Sequence, residues 1–511
     1  MKIPFFGRKK PVETPAQETR EPGLGERAFD SARISPYAPN WIASAFKTNA
    51  DLIRDGRALI LRSREMAKNS GDYRKYLRMC ERNVVGATGF KLQMNVRKPN
   101  GEKDEAANRE IEARWERFGL AGGCTVTRQG TMRDFSKTVV RNWRIDGEVF
   151  LRRVRGYSNR DRFAWQLLDP LACPFWLNEN LPDGRKIRLG VELDEWDAPT
   201  AYYFMSARPE SMNIFLEYDP VVSVQGKPYV RIPAEEFNHF YTVEFRGQVR
   251  GFPLGVAAMQ TLSMLDIYYQ VELIAADASS RKLGKMINEE LSGAYGGRNQ
   301  DGKPAQPQYI HQDPGSWDVL HGKWKMETYD PQHPVGNFSP FVKAQKRAIA
   351  NGLDVAYNTF ANDLEGVNFS SIRSGVLDER EAWMDDQEKF IGELLVPEFG
   401  EWLKMQFYDP SFPYSFSEFE RLNKPVFLGR RWPWVDPMKD AQAALLQMSM
   451  GATTPQDIAA NLGNDFDENA EAVAEAGPKL AAMAQAVGAV NAVNGAVANG
   501  DLTEVPEEQE E

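Results

Sequence analysis

Between Gln248 and Gly255 the sequence reads Gln-Val-Arg-Gly-Phe-Pro-Leu-Gly, and a long helical pattern follows to about Lys282. From Leu254 onward the apolar residues recur every three or four positions, which predicts a helix. Pro253 suits its first turn, because the missing N–H would have no partner there. About 30 residues at roughly 1.5 Å each make a rod of roughly 45 Å, whereas the mean globular helix has about 11 residues. We interpret this helix as a strut in an oligomer, with a long core helix as the alternative.

Downstream, the chain alternates between helices and polar segments. Residues 284–335 are dense in Gly, Pro, Gln and Asp but keep strand-like pieces, which predicts a small separate lobe. Residues 337–355 are helical, residues 356–375 are polar and predict a loop, and residues 376–407 are helical again, with Pro397 marking a kink or break. This order suits a protein that assembles side by side and directs a loop at a target better than it suits a single enzyme pocket.

The flanking segments complete an α+β organisation. Residues 40–252 combine amphipathic helices with alternating strand patterns, which predicts an antiparallel or mixed sheet. A further strand over 427–436 could return to that sheet. Residues 1–39 read as a flexible basic arm, residues 438–495 as short and Ala-rich helices, and residues 496–511 as a disordered acidic tail.

Bulk properties narrow the class of protein. At 511 residues the chain needs about two to four structural units. The net charge of −10 gives no global basic surface to recruit nucleic acid, so any DNA contact must be local or weak. The three cysteines are far apart, which predicts a reduced protein without disulfides or a zinc site. No run of about 18 apolar residues predicts a membrane span, and the N-terminus lacks the apolar region of a signal peptide.

The sequence offers no catalytic constellation. It contains no G-x-x-x-x-G-K-[ST] phosphate loop, no G-x-S-x-G elbow and no H-E-x-x-H motif. Carboxylate clusters such as Asp378–Glu381 and Asp465–Glu468 read as solvated helix faces rather than metal sites. We therefore predict no catalytic residue, no metal and no cofactor, and expect that the protein is not an enzyme.

Local basic and polar groups are the candidate DNA contacts. Lys343, Lys346 and Arg347 recur at i, i+3 and i+4, which places them on one side of a helix, although each could equally be a solvated surface residue. Contacts to the phosphate backbone carry no sequence information and weaken with salt, as a channel for sliding DNA requires. The basic candidates are Arg281, Lys282, Lys343, Lys346, Arg347 and Arg373.

Six segments, in order, resemble the lambda-like family of tailed-bacteriophage portal proteins, over about Asn40 to Gly463. They are Leu61-Arg62-Ser63-Arg64-Glu65 with Asn83-Val84-Val85-Gly86, then Asp146-Gly147-Glu148-Val149-Phe150, Gly190-Val191-Glu192 with Ala201-Tyr202-Tyr203, Gln248-Val249-Arg250-Gly251, Asn368-Phe369-Ser370-Ser371-Ile372-Arg373, and Trp432-Pro433-Trp434-Val435-Asp436-Pro437-Met438-Lys439. Two departures are Phe369, where the family more often has Tyr, and the short Ala-rich segment beyond Gly463.

The resemblance implies a portal fold and a role. The family forms a ring of about twelve subunits at one capsid vertex, which passes double-stranded DNA and docks the terminase large subunit, then head-completion, adaptor and tail proteins. It also implies contact with the major capsid protein and a location in the virion, with assembly in the host cytoplasm. The implied segments are the wing at 40–252, the stem helices at 253–283 and 336–355, the clip at 284–335, the tunnel loop at 356–375, the kinked tunnel helix and end of the wing at 376–437, and the α-helical crown at 438–495. The resemblance also implies that tunnel-loop residues face the DNA together with the basic candidates, namely Asn362, Asn368, Ser370 and Ser371.

Two other classes of protein remain as alternatives. One is another phage head–tail adaptor or minor capsid protein, which three long helices and a clip-like lobe make less suitable. The other is a nucleic-acid-processing enzyme of the packaging machinery, which the missing phosphate loop and missing metal cluster disfavour.

Overall fold

The computed structural model describes residues 48–208, 218–222, 227–280, 284–288, 324–328, 337–365, 369–432 and 437–462, with a few isolated helical positions up to Gly477. These residues form an α+β fold, as the sequence predicts. The helices are α1 (Thr48–Asn69), α2 (Gly71–Cys80), α3 (Glu105–Phe118), α4 (Met132–Asp146), α5 (Val256–Ser280), α6 (Phe338–Gly352), α7 (Tyr357–Ala361), α8 (Phe369–Phe390), α9 (Val396–Gln406), α10 (Phe419–Leu422), α11 (Pro437–Ser449) and α12 (Pro455–Asn461).

The strands of the described residues fall into four sheets. They are β1 (Lys91–Met94), β2 (Glu148–Arg155), β3 (Phe163–Leu168), β4 (Glu179–Asn180), β5 (Lys186–Arg188), β6 (Val191–Leu193), β7 (Pro199–Ala207), β8 (Val221–Val222), β9 (Tyr229–Pro233), β10 (Phe237–Tyr241), β11 (Gly284–Asn288), β12 (Trp324–Thr328) and β13 (Pro425–Leu428). The sheet orders are β1-β13, β10-β2-β3, β11-β12 and β4-β5-β6-β7-β8, with β9 also on β7. All pairs are antiparallel except β7 with β8.

Helix α4 shows how local sequence sets the element boundaries. Thr131 accepts a hydrogen bond from the backbone N–H of Asp134, and the Asp134 carboxylate accepts one from the N–H of Thr131. This capping box satisfies two of the N–H groups that a helix start leaves without partners. Gly147 ends the helix at φ +83°, a left-handed conformation that glycine adopts without strain. The chain can therefore turn directly from α4 into β2.

The main core joins segments that are far apart in sequence. The ring of Trp115 on α3 lies 6.2 Å from that of Trp165, 5.3 Å from Phe399, 5.0 Å from Trp402 and 5.8 Å from Phe427. These partners come from β3, α9 and β13. Large aromatic side chains bury much apolar surface, so this cluster fixes the late segments against the early ones. The predicted strand over 427–436 is only partly confirmed, since β13 ends at Leu428 and pairs with β1 in a separate two-stranded sheet rather than with the larger sheet. Residues 433–436 lie outside the described residues.

Two segments of the second half differ in detail from their predicted form. The long helix is present as the 25-residue α5, about 37 Å long. The loop predicted over 356–375 is shorter, because α7 occupies its start and α8 begins at Phe369. A π-helical turn, Ile391–Leu395, separates α8 from α9 just before Pro397. Since proline lacks the N–H that a continuous α-helix needs, this turn is the predicted break.

Candidate nucleic-acid interface

Helices α5 and α6 form an antiparallel pair, and α6 carries three of the predicted DNA-facing residues, Lys343, Lys346 and Arg347. Near one end, Gly352 packs so closely on α5 that an added Cβ would lie 3.2 Å from the Cβ of Ala258. Towards the other end, the ring of Tyr268 lies 5.9 Å from Phe338 and 5.4 Å from Phe341. Position numbers rise along α5 as they fall along α6, which makes the pair antiparallel. The glycine allows the two backbones to approach at the base of the pair.

Lys343 on α6 holds the segment that follows α7. Its Nζ lies 3.0 Å from Oδ2 of Asp363 and also contacts the carboxylate of Glu365. The hydroxyl of Tyr357 donates to Asp363 at 2.7 Å. This bond and the Lys343 ammonium lower the pKa of Asp363 to about 2. Lys343 therefore acts within one chain as a tether for the loop.

Lys346 and Arg347 also have intramolecular partners. Nζ of Lys346 lies 3.0 Å from Oδ1 of Asp72 on α2 and 5.9 Å from the ring centre of Tyr269. The guanidinium of Arg347 lies 5.0 Å from the ring centre of Tyr357. Because Lys346 faces α2 and α5 whereas Lys343 and Arg347 face α7 and its loop, the three cations do not form one open basic patch.

The remaining candidate residues lie at or beyond the loop. Asn362 adopts φ +53°, and its Oδ1 accepts a hydrogen bond from Nζ of Lys75 at 2.5 Å. The backbones of Ser370, Ser371 and Arg373 belong to the first turns of α8 rather than to a loop. Asn368, Arg281 and Lys282 lie outside the described residues. The structure thus brings Asn362 and Lys343 together at one loop, and their role toward DNA stays a prediction.

Sequence reasoning missed a buried charge cluster that joins the start of β2 to the segment just before α5. Arg250 and Glu148 are both fully buried, and Nε of Arg250 lies 2.8 Å from each carboxylate oxygen of Glu148. The guanidinium also donates to the carbonyl oxygens of Pro170, Cys173 and Leu189 at 2.8–3.0 Å. All five N–H groups of Arg250 therefore have acceptors. Burial opposes ionisation of Glu148, but Arg250 and His239 nevertheless lower its pKa to about 2.

Beside this cluster, the backbone at Gly147 packs directly against the backbone of Gly251 and Phe252. A Cβ added to Gly147 would lie 1.9 Å from the carbonyl carbon of Phe252, and one added to Gly251 would lie 2.2 Å from the carbonyl oxygen of Gly147. The N–H of Gly251 donates to Glu148 at 3.0 Å. Arg64 adds a second ion pair, with Asp146 at 2.8 Å and Asp169 at 2.7 Å. The sequence signals that could have revealed this cluster are Glu148 directly after Gly147 and Arg250 directly before Gly251.

No group of three potential metal ligands occurs in the part of the chain that the structure describes. No helix among these residues is long and apolar enough to cross a membrane.

A family model described as phage portal protein, lambda family, matches residues 36–387. The chain belongs to this family. A probable portal protein of Halomonas phage phiHAP-1 is 31% identical over 89% of this chain and 87% of its own length. Portal protein B of Escherichia phage lambda is 22% identical over 80% of this chain and 81% of its own length. Family membership confirms the portal role that the motifs predicted, and the family is a structural one.

Solved particle structures are also similar to the chain. The neck of the empty gene transfer agent particle, computed with C6 symmetry, matches at a TM-score of 0.41 and 12% identity, over 80% of this chain and 94% of that one. The neck of the native particle, computed with C12 symmetry, matches at a TM-score of 0.39 and 12% identity, with the same coverage.

Proposed function

We propose that this portal protein assembles as a closed ring of about twelve copies around a channel for double-stranded DNA. The observation that carries the ring is an exposed apolar face on α5. Met264, Ile267, Val271 and Ile274 recur at steps of three, four and three residues, so they share one side of the helix. Their exposed fractions lie between 56% and 68%. Large contiguous apolar surfaces of this kind mark interaction sites.

A second copy of the chain is the occupant that best fits this face. The opposite side of α5 is already covered, since Leu262 and Leu265 are buried in the main core. The exposed face therefore points away from its own subunit, and it extends from Met264 to Ile274, about 15 Å along the helix. In a closed ring every subunit has a neighbour on each side, so a helix face of this length is covered in every copy.

Within the ring, the loop between α7 and α8 would approach the DNA. Lys343 pairs with Asp363 and Glu365, and Lys346 pairs with Asp72, so both lysines already have carboxylate partners within the subunit. A chain with net charge −10 and partnered lysines would bind phosphates weakly, which lets DNA slide in both packaging and ejection. The DNA-facing residues of this proposal are those predicted from the sequence.

The proposed partners follow the portal role. The lobe over 284–335 would dock the terminase large subunit during packaging and the head-completion, adaptor and tail proteins afterwards. The major capsid protein would surround the ring at the portal vertex of the virion, and assembly would occur in the host cytoplasm. None of these steps requires catalysis or a cofactor in this chain.

Electron microscopy and native mass measurement test the ring. The wild-type chain should give rings with a central hole, and the variant Ile267→Asn/Val271→Asn/Ile274→Asn should stay a soluble, folded monomer because it loses the apolar face. The matched control is Val243→Asn, which changes an apolar residue that is 59% exposed but lies off α5. Rings of normal size in the triple variant would show that this face does not hold the ring together.

DNA passage needs its own test. Replacing Arg281, Lys282, Lys343, Lys346 and Arg347 together by Gln should change the yield or salt dependence of DNA packaging more than it changes ring assembly. The control is Arg54→Gln, which removes an exposed arginine from α1. Unchanged packaging in the five-residue variant would remove these side chains from the channel wall.

A further inference from the structure

A tryptophan stands at the tip of the hairpin that joins β6 to β7. Trp196 is 82% exposed. The tip is nevertheless ordered, because Oδ1 of Asp194 accepts hydrogen bonds from the backbone N–H groups of Trp196 and Ala198, both at 2.8 Å. The N–H of Asp194 also donates to the carbonyl of Ala198 at 3.0 Å. An exposed indole on a preorganised turn loses little entropy on binding and is a common anchor of protein interfaces.

The hairpin tip is acidic. Asp194, Glu195 and Asp197 flank the indole, and the nearby cation is Lys186, whose Nζ contacts Asp197 at 2.5 Å. The hydrogen bonds that Asp194 accepts come from neutral backbone N–H groups, so they do not neutralise its negative charge. The tip therefore presents one large apolar group within a net negative rim.

A groove elsewhere on the subunit has the opposite character. It has a volume of about 1110 Å³ and lies between α3, the start of α4 and the segment after β13. Phe90, Leu395 and Leu428 contribute apolar wall, and Leu120 stands exposed at its margin. A groove of this size accommodates an indole with its flanking residues.

The groove is lined by more cations than carboxylates, and two of its arginines have neutral partners. The charged lining residues are Lys91, Arg109, Arg133, Arg430 and Arg431 against Glu112 and Glu116. Arg430 donates to the backbone carbonyl of Arg82 and to Oδ1 of Asn83 at 2.5 and 2.7 Å. Arg431 donates to Oε1 of Gln387 at 3.0 Å. Burial lowers the pKa of Arg430, as expected where no carboxylate compensates the charge. An acidic occupant would supply the missing counter-charge.

We propose that the Trp196 hairpin of one subunit inserts into this groove of the next subunit in the ring. No hairpin residue lines the groove within one chain, so the hairpin tip and the groove are separate surfaces. A head-to-tail ring needs two different, complementary surfaces on each copy. The inference rests on the proposed ring, and it assigns a contact in addition to the face of α5.

Disulfide trapping tests the contact. The variant Trp196→Cys/Leu120→Cys places one thiol at the hairpin tip and one at the groove margin, while the native Cys80, Cys124 and Cys173 are buried. Oxidation of assembled rings should give a ladder of covalent oligomers on non-reducing gels. The control is Trp176→Cys/Leu120→Cys, because Trp176 is also exposed but lies on neither surface.

The outcomes separate this contact from the ring itself. A ladder in the first variant and none in the control supports the insertion. If the wild-type chain forms rings but the Trp196→Cys/Leu120→Cys variant gives no ladder, or gives a disulfide within one chain, the insertion is overturned and the ring proposal stands. A wild-type monomer without a ladder overturns both proposals. A ladder that forms instead with Leu120→Cys/Val505→Cys would assign the groove to the acidic C-terminal segment and overturn the insertion.

Charge reversal gives a second test. Glu195→Lys should weaken association of neighbours by roughly 10-fold, and Trp196→Ala by roughly 30-fold, as measured by the concentration at which rings dissociate. Arg133 lies on the groove wall and shares an exposed ion pair with Asp134, so its charge stays accessible to solvent and Arg133→Glu should also weaken association. Combining Glu195→Lys with Arg133→Glu should restore part of the loss. Additive losses in the combined variant would contradict the contact.

Discussion

Replacing Arg250 by Met should destabilise the fold more than almost any other single change. The substitution leaves the buried carboxylate of Glu148 without its cation and three carbonyl oxygens without their donor. Breaking a buried pair by removing one partner costs about 3–5 kcal/mol, and each buried group left without a partner adds about 1 kcal/mol. Because these costs overlap, we expect a loss of about 4–6 kcal/mol in the free energy of unfolding.

Chemical denaturation followed by tryptophan fluorescence measures this loss. Arg250→Lys should recover only part of it, since an ammonium has three N–H groups in place of the five that the structure uses. The matched control is Arg54→Met, whose partners Asp51 and Asp55 are exposed, so it should leave the denaturation midpoint almost unchanged. The double variant Arg250→Met/Glu148→Gln should lose less than the single one. A loss below about 1 kcal/mol for Arg250→Met would refute a stabilising role for the cluster.

Three further changes test other contacts. Gly251→Ala should prevent correct folding, because the new Cβ would meet the carbonyl oxygen of Gly147 at 2.2 Å, whereas Gly71→Ala has open space; soluble yield decides between these results. Lys343→Gln should roughly double hydrogen exchange at residues 363–365 by removing an exposed ion pair, and unchanged exchange would argue against the tether. Hydrogen bonds from Arg231 and other donors lower the pKa of Glu192 to about 2, so its stabilisation is present above about pH 4.5 and lost as pH falls toward 2. Glu192→Gln should remove roughly 2 kcal/mol of that acid-dependent stability, and parallel pH profiles for wild type and variant would contradict this origin.

The helical elements were largely predictable from spacing. The pattern from Leu254 to about Lys282 gives α5 to within a few residues, because apolar periodicity reports directly on the buried side of a helix. A strand close to β13 was also predicted, but its bounds and its pairing with β1 in a separate sheet were not. The start of α8 was not, because its Ser-Ser-Ile-Arg-Ser-Gly sequence is polar and has low helix propensity. The later residues of α8 favour a helix, and the helix they form continues back through this polar sequence to Phe369.

The candidate site was less predictable, because it depends on distant partners. Helical spacing correctly places Lys343 and Arg347 on one side of α6, but it cannot reveal that Lys346 meets Asp72, which is 274 positions away. The buried pair of Glu148 and Arg250 is separated by 102 positions. A charged residue in an apolar segment signals burial only when its counter-ion is known, and one sequence does not identify that partner.

The pairing of β1 with β13 has a consequence for synthesis of the chain on the ribosome. Lys91 pairs with Leu428, so β1 stays without a partner strand while more than three hundred later residues are made. Late-closing contacts of this kind fold slowly and leave an edge strand open to wrong pairing. The same delay ties completion of this part of the fold to a nearly finished polypeptide. Nascent fragments would therefore lack the finished surface that neighbouring copies contact. Assembly would then begin only after β13 has been synthesised and paired with β1.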